Sequence, residues 1–402
     1  MWNHVPLPKC LVKHKIGRTN QINTADILIL GRFPVVDQGQ TFIAGYTDDA
    51  GRLITEGLPY VIFGDHTRCF KYIDFPFVLG ADGTKVLKPN SELFDARFFY
   101  YAALALDVPS RGYNRHYTLL KEKSIPRPEL DEQRQIAAVL LAVQQAIERQ
   151  ERLIALTAEL KKALMHKLFT EGTRGEPQKQ TEIGPVPESW TVERLSRHLI
   201  AAQYGLSVKG TEDGATPILR MTNQVDGRIV PNNLQMVSIA KSDLLKFKVE
   251  PEDVLFNRTN SFELVGRTAI FELSGEYVFA SYLIRLRTHT ESLRPAFLNH
   301  YFNWDATQSR LKGIASRAVS QSNISASRLR GFVVPTPAPD EQDEIIGSIN
   351  QIDNVHSVRQ HQLGVLRGLF RTLLHQLMTA QIRVHDLDLS TLSEIAEPAG
   401  VA

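Results

Sequence analysis

The strongest constraint on the fold is a long segment that the chain contains twice. Residues 125–136 (Ile-Pro-Arg-Pro-Glu-Leu-Asp-Glu-Gln-Arg-Gln-Ile) return as residues 334–345 (Val-Pro-Thr-Pro-Ala-Pro-Asp-Glu-Gln-Asp-Glu-Ile), 209 positions later, and the register then holds without a gap as far as Thr170 and Thr379. Solenoid proteins repeat every roughly 20–50 residues, so this long period excludes a solenoid. It indicates a duplicated unit and therefore a protein with two similar halves.

Each copy of the repeat contains the start of a long helix. Pro128 or Pro339 ends the preceding strand, and acidic residues follow, where they suit the first turn and its dipole. Apolar residues then recur at spacings of three and four over about six heptads, which predicts a helix on the order of 60 Å long. Gly347, Gly364 and Gly368 are weak points in the second copy. Because a single such helix would expose its apolar stripe, we expect the two to pack together as an antiparallel pair with one globular domain at each end.

The rest of the chain falls into two globular segments of mixed α/β (α+β) character. Short buried strands are predicted at 59–63 and 253–256, further strands at 71–73, 267–271 and 280–286, and helices at 95–105 and 295–312. Residues 173–187 are rich in Gly, Pro and polar residues and lack periodicity, which indicates a linker. The predicted organisation is a first domain at residues 1–125, a long helix at 126–172, a linker at 173–187, a second domain at 188–334, a second long helix at 335–380 and a flexible tail at 381–402.

Composition places the chain among ordinary globular proteins. Its 402 residues allow two to four domains. No stretch approaches the roughly 18 apolar residues of a membrane span, and the start lacks the basic-then-apolar layout of a signal peptide. The two cysteines, Cys10 and Cys69, are too few for a disulfide scaffold or a structural zinc site. We therefore expect a cytoplasmic protein with no membrane partner.

The distribution of charge is more informative than the net charge of +2. From Ala306 to Pro339 there is no acidic residue, although the stretch contains five basic ones: Arg310, Lys312, Arg317, Arg328 and Arg330. The corresponding part of the first half contains Arg111, Arg115, Lys121, Lys123 and Arg127, with Glu122 as the only acid between Val108 and Pro128. A basic surface that binds DNA phosphates and an ordinary solvated face both fit this pattern.

No catalytic or cofactor motif stands out in the sequence. The glycines at 205–210 lack the Lys-Ser/Thr pair of a phosphate-binding loop, and no Gly-rich nucleotide fingerprint follows a strand. No Asn/Asp-Pro-Pro-aromatic segment suggests an amino-methyltransferase, and the histidines lack metal-ligand spacing. This pattern favours a binding protein without a metal or cofactor of its own.

The polar stretches that follow the buried strands are the best candidates for contacts with DNA bases. Asn, Arg and Gln carry the donors and acceptors that distinguish adenine and guanine edges in the major groove, and Ser and Arg also bind phosphates. For each such residue an ordinary surface loop is the alternative. The candidates that follow buried strands are Arg68 and Lys71 in the first half, and Asn257, Arg258, Asn260, Ser261 and Arg267 in the second. Further candidates for phosphate or base contacts lie in the basic stretch of the first half (Arg111 and Arg115) and in the acid-free stretch of the second (Arg317, Ser320, Gln321 and Asn323).

Two parts of the sequence resemble one protein family. The pattern Pro-x-Pro-x-x-Asp-Glu-Gln-x-x-Ile at 126–136 and 335–345, each leading into a long helix, resembles the conserved regions of type I restriction–modification specificity subunits. The segment from Val254 to Arg287 resembles a target-recognition domain of that family. The departures are modest: Ala338-Pro339 replaces the Glu129-Leu130 of the first copy, and the second helix contains the three glycines. The resemblance covers nearly the whole chain.

The resemblance implies a DNA-specificity subunit that catalyses nothing itself. Each of the two domains would be a target-recognition domain that reads one half of a bipartite, asymmetric target in double-stranded DNA, and the antiparallel helices would form a coiled coil that sets the gap. The helices would also dock two methyltransferase subunits, and motor-nuclease subunits would complete the enzyme. S-adenosylmethionine, ATP and Mg are expected on those partners. The residues we expect to contact a partner are Glu132, Gln133, Glu341 and Gln342.

Two other classes of function stay open at this point. The chain could be a coiled-coil scaffold that spaces two protein-binding heads, in which case it would show no sequence-specific DNA binding. It could also be a self-contained DNA-modifying enzyme, although the missing motifs disfavour this. Binding of S-adenosylmethionine by the isolated chain would support the enzyme.

Overall fold

The structure, a computed structural model, describes residues 2–387 except 82, 111, 113 and 318–320. The chain divides into two compact units: unit 1 comprises Met1–Arg152 and His361–Ala402, and unit 2 comprises Leu153–Gln360. Each unit contains one globular domain and a part of each long helix. The predicted division set the helices apart from the domains, whereas the structure joins them because each domain packs its core onto both helices.

The two predicted long helices are present. The first long helix spans Leu130–Glu171, which is 42 residues, and the second long helix spans Pro339–Met378, which is 40 residues. Both begin after the predicted 126 and 335, because the residues before Pro128 and Pro337 are held in extended backbone and belong to strands. The second helix continues through its three glycines. Among the described residues, no helix combines the length and the apolar character needed to cross a membrane.

Unit 1 contains two small sheets and a short strand pair. One sheet has the strand order Gln21–Ile22, Val78–Gly80, Phe33–Val36 and Gly45–Thr47, and the other has the order Phe70–Ile73, Tyr60–Gly64 and Thr84–Leu87. Asn3–Pro6 pairs antiparallel with Ser124–Arg127. The domain also contains the α-helices Ala96–Leu104 and Tyr117–Lys121 and the 3-10 turns Leu7–Lys9, Arg18–Asn20, Thr24–Asp26 and Ala50–Arg52, and the 3-10 turn Val384–Asp386 follows the second long helix.

Unit 2 contains a larger mixed sheet. Its strand order is Leu199–Tyr204, Leu283–Thr288, Val254–Asn257, Thr268–Ile270, Arg228–Ile229 and Gln224–Val225. A second sheet has the order Gln235–Val237, Thr216–Leu219 and Val278–Phe279. A third has the order Thr259–Asn260, Ser322–Asn323 and Ser316–Arg317. Thr191–Arg194 pairs with Val333–Thr336. The helices are Lys241–Phe247, Pro295–Asn303, Asp305–Gly313, Ala326–Arg330 and the 3-10 turns Leu195–His198 and Met221–Asn223. The helix predicted at 295–312 is split in two because Trp304 is extended (φ −70°, ψ 135°).

The duplication extends from the sequence into the packing of each unit. Asn3 pairs with Arg127 in unit 1, and the strand pair of unit 2 has the same register, Thr191 with Thr336. In unit 1 the aromatic helix Ala96–Leu104 packs on residues of both long helices, including Ile136 and Leu377. In unit 2 the helix Pro295–Asn303 packs in the same way, on residues that include Phe169 and Ile345. Each domain therefore shares its core with the antiparallel parts of the two helices in its own unit.

Two segments predicted to lack structure are folded. Residues 173–187 were expected to be a linker, but Gln178–Thr181 and Gly184–Pro187 form a β-hairpin, and Val186 is buried. Residues 381–387 were expected to be part of a flexible tail, but Val384 is buried in the core of unit 1. Both segments follow the end of a long helix and bury an apolar side chain there. The rest of the predicted tail, residues 388–402, lies outside the described residues.

In both units, a glutamate at the start of one long helix contacts an arginine in the segment that follows the other long helix. In unit 1 the Glu132 carboxylate accepts from the Arg383 guanidinium at 2.6 and 2.8 Å, and the Arg383 Cζ lies 5.6 Å from the centre of the Trp2 ring. In the register of the repeat Glu341 corresponds to Glu132, and Arg174 to Arg383. In unit 2 the Glu341 carboxylate accepts from Trp190 Nε1 at 2.9 Å and forms an ion pair with Arg174, whose Nε lies 3.9 Å away. The segment after each long helix thus completes a unit.

Candidate nucleic-acid interface

In unit 2, two polar segments that are far apart in the sequence meet at one place. Thr259 pairs with Asn323 and Asn260 with Ser322, and Ser322–Asn323 pairs in turn with Ser316–Arg317. The polar stretch after the buried strand Val254–Asn257 thereby lies against the acid-free stretch of the sequence. Both stretches were predicted to contact DNA, and the structure brings them together. We refer to Arg258, Asn260, Ser261 and Asn323 as the unit 2 polar cluster.

Arg258 is the best-positioned residue of this cluster. Its Nη1 donates to Ser281 O and its Nη2 to Asn323 Oδ1, both at 3.3 Å, and its Cζ lies 4.7 Å from the centre of the Tyr204 ring. Asn323 is itself fixed, because its Nδ2 donates to Thr259 Oγ1 at 2.7 Å. Each Nη group of Arg258 uses one of its two N–H bonds in these contacts, which leaves the second for an acceptor such as a phosphate oxygen or the edge of guanine, whereas Nε is buried.

Asn257 and Asn260 have different environments. Asn257 is only 3% exposed, and its backbone N–H and C=O bond to Arg267 and Gly266. The prediction that Asn257 contacts DNA is therefore wrong for this conformation, since its side chain does not reach the surface. Asn260 is half-buried: its Oδ1 accepts from the N–H of Ser261 at 2.8 Å and its Nδ2 lies 3.1 Å from the sulfur of Met221.

The other predicted residues of unit 2 are spread around the cluster. Arg267 and Gln321 are exposed. Arg317 belongs to the strand Ser316–Arg317. Ser320 lies outside the described residues.

Sequence reasoning missed three side chains beside the cluster. Tyr204 supplies the ring below Arg258, and its Oη accepts from the N–H of Ala326 at 2.8 Å. Arg220 and Gln224 flank Met221, which touches Asn260. Arg220 Nε and Gln224 Oε1 are buried and have no hydrogen-bond partner among the described residues, whereas buried polar atoms normally have one. Only the polar run Arg-Met-Thr-Asn-Gln at 220–224 could have suggested these positions from the sequence.

In unit 1, Arg68 and Arg115 lie at the same end of the strand Tyr60–Gly64. Arg68 follows that strand in a left-handed turn conformation (φ 62°), is exposed, and donates from Nη1 to Val108 O at 2.9 Å. Arg115 is exposed, and the next two residues are tied to the buried Asp65, whose Oδ1 accepts from the N–H of Tyr117 at 2.7 Å. The predicted Arg111 lies outside the described residues.

Lys71 is buried and does not face solvent. It is 4% exposed, and its Nζ donates to Asp37 O at 2.8 Å and to Thr41 O at 2.6 Å. Burial lowers the pKa of Lys71, against the opposing effect of the Asp37 carboxylate. The prediction that Lys71 contacts DNA is wrong, because the side chain anchors the loop at residues 37–41. The strand pattern shows why: Lys71 shares its buried face with Ile73.

The predicted partner contacts at the helix starts are occupied within the chain. Gln133 and Gln342 are fully buried. Gln133 accepts from the N–H of Asp95 at 2.8 Å and donates to Leu93 O and Pro128 O, and Gln342 does the same with Arg294 N–H, Ser292 O and Pro337 O. Glu341 is also fully buried, and Glu132 is paired with Arg383. These residues hold a domain on a helix, and the side chains of Gln133, Glu341 and Gln342 are buried too deeply to touch a partner directly, whereas Glu132 is partly exposed.

The chain is similar to known specificity subunits in sequence. The model of the family "Type I restriction modification DNA specificity domain" matches residues 207–363. A predicted specificity subunit of the type I restriction enzyme MjaX from Methanocaldococcus jannaschii is 30% identical over 223 residues, which are 54% of this chain and 52% of the relative. The specificity subunit of type I restriction enzyme EcoKI from Escherichia coli is 24% identical over 325 residues, 76% of this chain and 70% of the relative. The chain thus aligns with about half the length of the archaeal relative.

Two solved structures share the fold over nearly the whole chain. The S subunit of a type I restriction–modification system from M. genitalium has a TM-score of 0.60 at 18% identity, covering 94% of this chain and 96% of that one. A chain from a type I system, solved to explain complex assembly and conformational transition, has a TM-score of 0.54 at 17% identity, covering 94% and 97%. At these identities the likeness concerns the fold alone.

Proposed function

We propose that this chain, which belongs to the family of type I restriction–modification specificity subunits, supplies the DNA target sequence for such a system. Each domain reads one half of a two-part target, and the chain itself performs no chemistry. The modification chemistry belongs to methyltransferase subunits, which bind S-adenosylmethionine. Motor-nuclease subunits that use ATP and Mg complete the restriction enzyme.

The observation that carries this proposal is that the same contacts fasten two different domains to two long helices. Gln133 and Gln342 form the same three hydrogen bonds in their respective units. The strand pairs that enclose each domain have the same register. The domains themselves differ in their sheets and loops. A repeated frame with two different sets of loops is suited to an asymmetric, two-part target.

The loops carry the chemistry that base and phosphate recognition needs. In unit 2, Arg258 is held by Asn323 and Tyr204 and keeps free N–H donors, while Asn260 and Ser261 flank it. In unit 1, Arg68 and Arg115 are exposed at one end of a buried strand. Arginine pairs with guanine O6 and N7 through two hydrogen bonds, and backbone contacts fix the register.

The long helices set the gap between the half-sites and dock the methyltransferase subunits. In unit 2 the large exposed apolar residues of the long helices include Leu153, Leu156, Leu160, Val355 and Val358. The three leucines recur at helical spacing and form a stripe on the first long helix. Such exposed apolar stripes are typical of surfaces that bind other proteins.

The test is to map methylated adenines in cells that express the chain together with its methyltransferase. Methylation confined to one gapped, two-part motif, and absent without the chain, is the expected result. Arg258→Ala should reduce methylation and relax the sequence requirement in one half of the motif only. Arg197→Ala is the matched control, because Arg197 is an exposed arginine of unit 2 paired with Glu193. Methylation that is indifferent to the chain would favour a protein scaffold.

A further inference from the structure

Unit 1 contains an open groove that no described part of the chain fills. Its volume is about 380 Å³, and it lies between the C-terminal end of the helix Ala96–Leu104 and the end of the second long helix. Ala102, Ala105, Leu374 and Met378 line its apolar floor. Arg371 and His375, both exposed, stand at its rim. We call this the unit 1 groove.

Unit 2 has an equivalent place, and there it is filled. Gln133 accepts from the N–H of Asp95 just before the helix Ala96–Leu104, and Gln342 accepts from the N–H of Arg294 just before the helix Pro295–Asn303. Asp95 and Arg294 are therefore equivalent, and counting along the two helices from them makes Ala105 equivalent to Trp304. In the register of the long repeat, His375 corresponds to His166 and Met378 to Phe169. The Trp304 ring lies 5.9 Å from the ring of His166 and 5.5 Å from the ring of Phe169. A tryptophan therefore occupies the position that Ala105 leaves open.

An acidic residue directly follows this tryptophan. Asp305 begins the helix Asp305–Gly313 and is exposed. Lys162 corresponds to Arg371 in the repeat register. The pKa of Lys162 is raised by its hydrogen bond with Glu159 and further by the carboxylate of Asp305. In unit 2 the equivalent place thus holds an aromatic ring and a carboxylate near a rim lysine.

The rim cation of unit 1 lacks the acid that its equivalent has. Lys162 Nζ donates to Glu159 Oε1 at 2.9 Å, and Gly368 stands at the position equivalent to Glu159. Within the described part of the chain, no ion pair involves Arg371. The unit 1 groove therefore offers an apolar slot beside an uncompensated positive charge.

We propose that the unit 1 groove receives a segment of a partner protein that presents an aromatic side chain followed directly by a carboxylate. The aromatic ring fills the space beside Ala105 as Trp304 does in unit 2. The carboxylate faces Arg371 and His375. The partner thereby completes in trans what unit 2 contains in its own chain. Large aromatic side chains in a preformed pocket commonly dominate such interfaces.

The probe is a labelled peptide Asn-Trp-Asp-Ala-Thr-Gln, the sequence of residues 303–308. We expect saturable binding to the full-length chain by fluorescence polarisation, with a Kd below about 1 mM. Ala105→Trp should weaken binding at least about tenfold because it fills the groove from within, as Trp304 shows that the fold accepts. Ala25→Trp, the same change at an exposed position away from the groove, should have no effect.

A charge reversal separates specific docking from a general affinity for tryptophan. Arg371→Glu should weaken binding of the Trp-Asp peptide and strengthen binding of a Trp-Lys peptide. Absence of saturable binding to the unsubstituted chain overturns the inference, and so does equal binding to Ala105→Trp. Ala105 lies away from the polar loops, so Ala105→Trp should leave DNA binding unchanged. Failure here is thus distinguishable from failure of DNA recognition.

Discussion

Gln133 and Gln342 each hold a globular domain to the start of a long helix through hydrogen bonds with three backbone groups. A glutamine amide suits this task because it can donate and accept at once. Both side chains are fully buried, so water cannot replace a lost bond. The Asp-Glu-Gln triplet that marks the repeat in the sequence is therefore a structural anchor as well as a helix start.

Gln133→Ala should lower the free energy of unfolding by about 2–4 kcal/mol, because it leaves buried groups such as the N–H of Asp95 without a partner. Gln133→Glu should be no better, since a carboxylate would face the carbonyl oxygens of Leu93 and Pro128. Gln135→Ala is the matched control at an exposed position of the same helix and should change stability by less than about 0.5 kcal/mol. Urea unfolding of the three variants measures this, and equal values for Gln133→Ala and Gln135→Ala would refute the anchor.

His300 should make unit 2 sensitive to acid. Its Nε2 lies 3.2 Å from Asn350 Oδ1, and burial lowers the pKa of His300 to about 4 from 6.5, against the opposing effect of Asp353. Because the folded-state pKa is below the unfolded one, the unfolded chain takes up the proton first on acidification. Stability is therefore full above about pH 6.5 and is lost as the pH falls toward about 4, by up to about 3 kcal/mol.

The measurement is the free energy of unfolding at pH 7 and pH 5, followed by the fluorescence of Trp190 and Trp304. His300→Gln should reduce the difference between the free energies of unfolding at pH 7 and pH 5. His289→Gln, a change at an exposed histidine of the same unit, should retain it. An unchanged pH dependence in His300→Gln would show that other groups cause the acid sensitivity.

Single residues show where sequence reasoning reached its limit. Arg258 could be chosen because it follows a buried strand and Asn323 because it lies in the acid-free stretch, and the structure places them together. Lys71 could not be told apart by residue type. Lys71 is buried because it lies on the inner face of the strand Phe70–Ile73. In the sequence, only its spacing of two residues from Ile73 indicated that face. Arg220 and Gln224 were missed because their proximity to Asn260 arises from tertiary packing.

At the scale of elements, the two long periodic patterns were read correctly, whereas the helix predicted at 295–312 proved to be two helices and two irregular segments proved to be folded. The long helices follow from apolar spacing over many turns, a signal that tertiary contacts seldom override. The segments 173–187 and 381–387 have no period, so their composition indicated a linker and a tail. Their structure depends on contacts with the start of a distant helix, such as Arg383 with Glu132. Such contacts cannot be read from local sequence.

Truncation tests the segment that follows the second long helix. Removal of residues 381–402 should destabilise unit 1 by about 2–4 kcal/mol, because it exposes the site of the buried Val384 and leaves Glu132 without Arg383. Removal of residues 388–402 alone is the control and should have little effect on stability. Thermal unfolding of the two truncated chains gives the comparison. Equal stability would mean that residues 381–387 are dispensable for the fold.

At the scale of the whole molecule, the duplication predicts that the two domains act independently on DNA. The frame contacts are repeated, but Arg68 in unit 1 and Arg258 in unit 2 belong to different loops on different sheets. The sequence showed the two halves through the long repeat. It could not show the loops, because these share little sequence and are arranged by the packing of each domain. Residues that act on separate half-sites should contribute to binding without coupling.

Arg68→Ala and Arg258→Ala should each weaken binding of the complex to its target by about 1–3 kcal/mol. The double variant should lose the sum of the two to within about 0.5 kcal/mol, as expected of distant sites without shared partners. Each loss should disappear on a duplex in which only the corresponding half-site is scrambled, because the arginine then has no specific contact left to lose. The measurement is titration of labelled duplexes with the chain and a methyltransferase subunit, for the unsubstituted chain, the two single variants and the double variant. The salt concentration is kept fixed because phosphate contacts depend strongly on salt. Arg197→Ala controls for loss of surface charge. A strong coupling between the two variants would mean that the two domains bind DNA as one surface, and the independent reading of two half-sites would then be wrong.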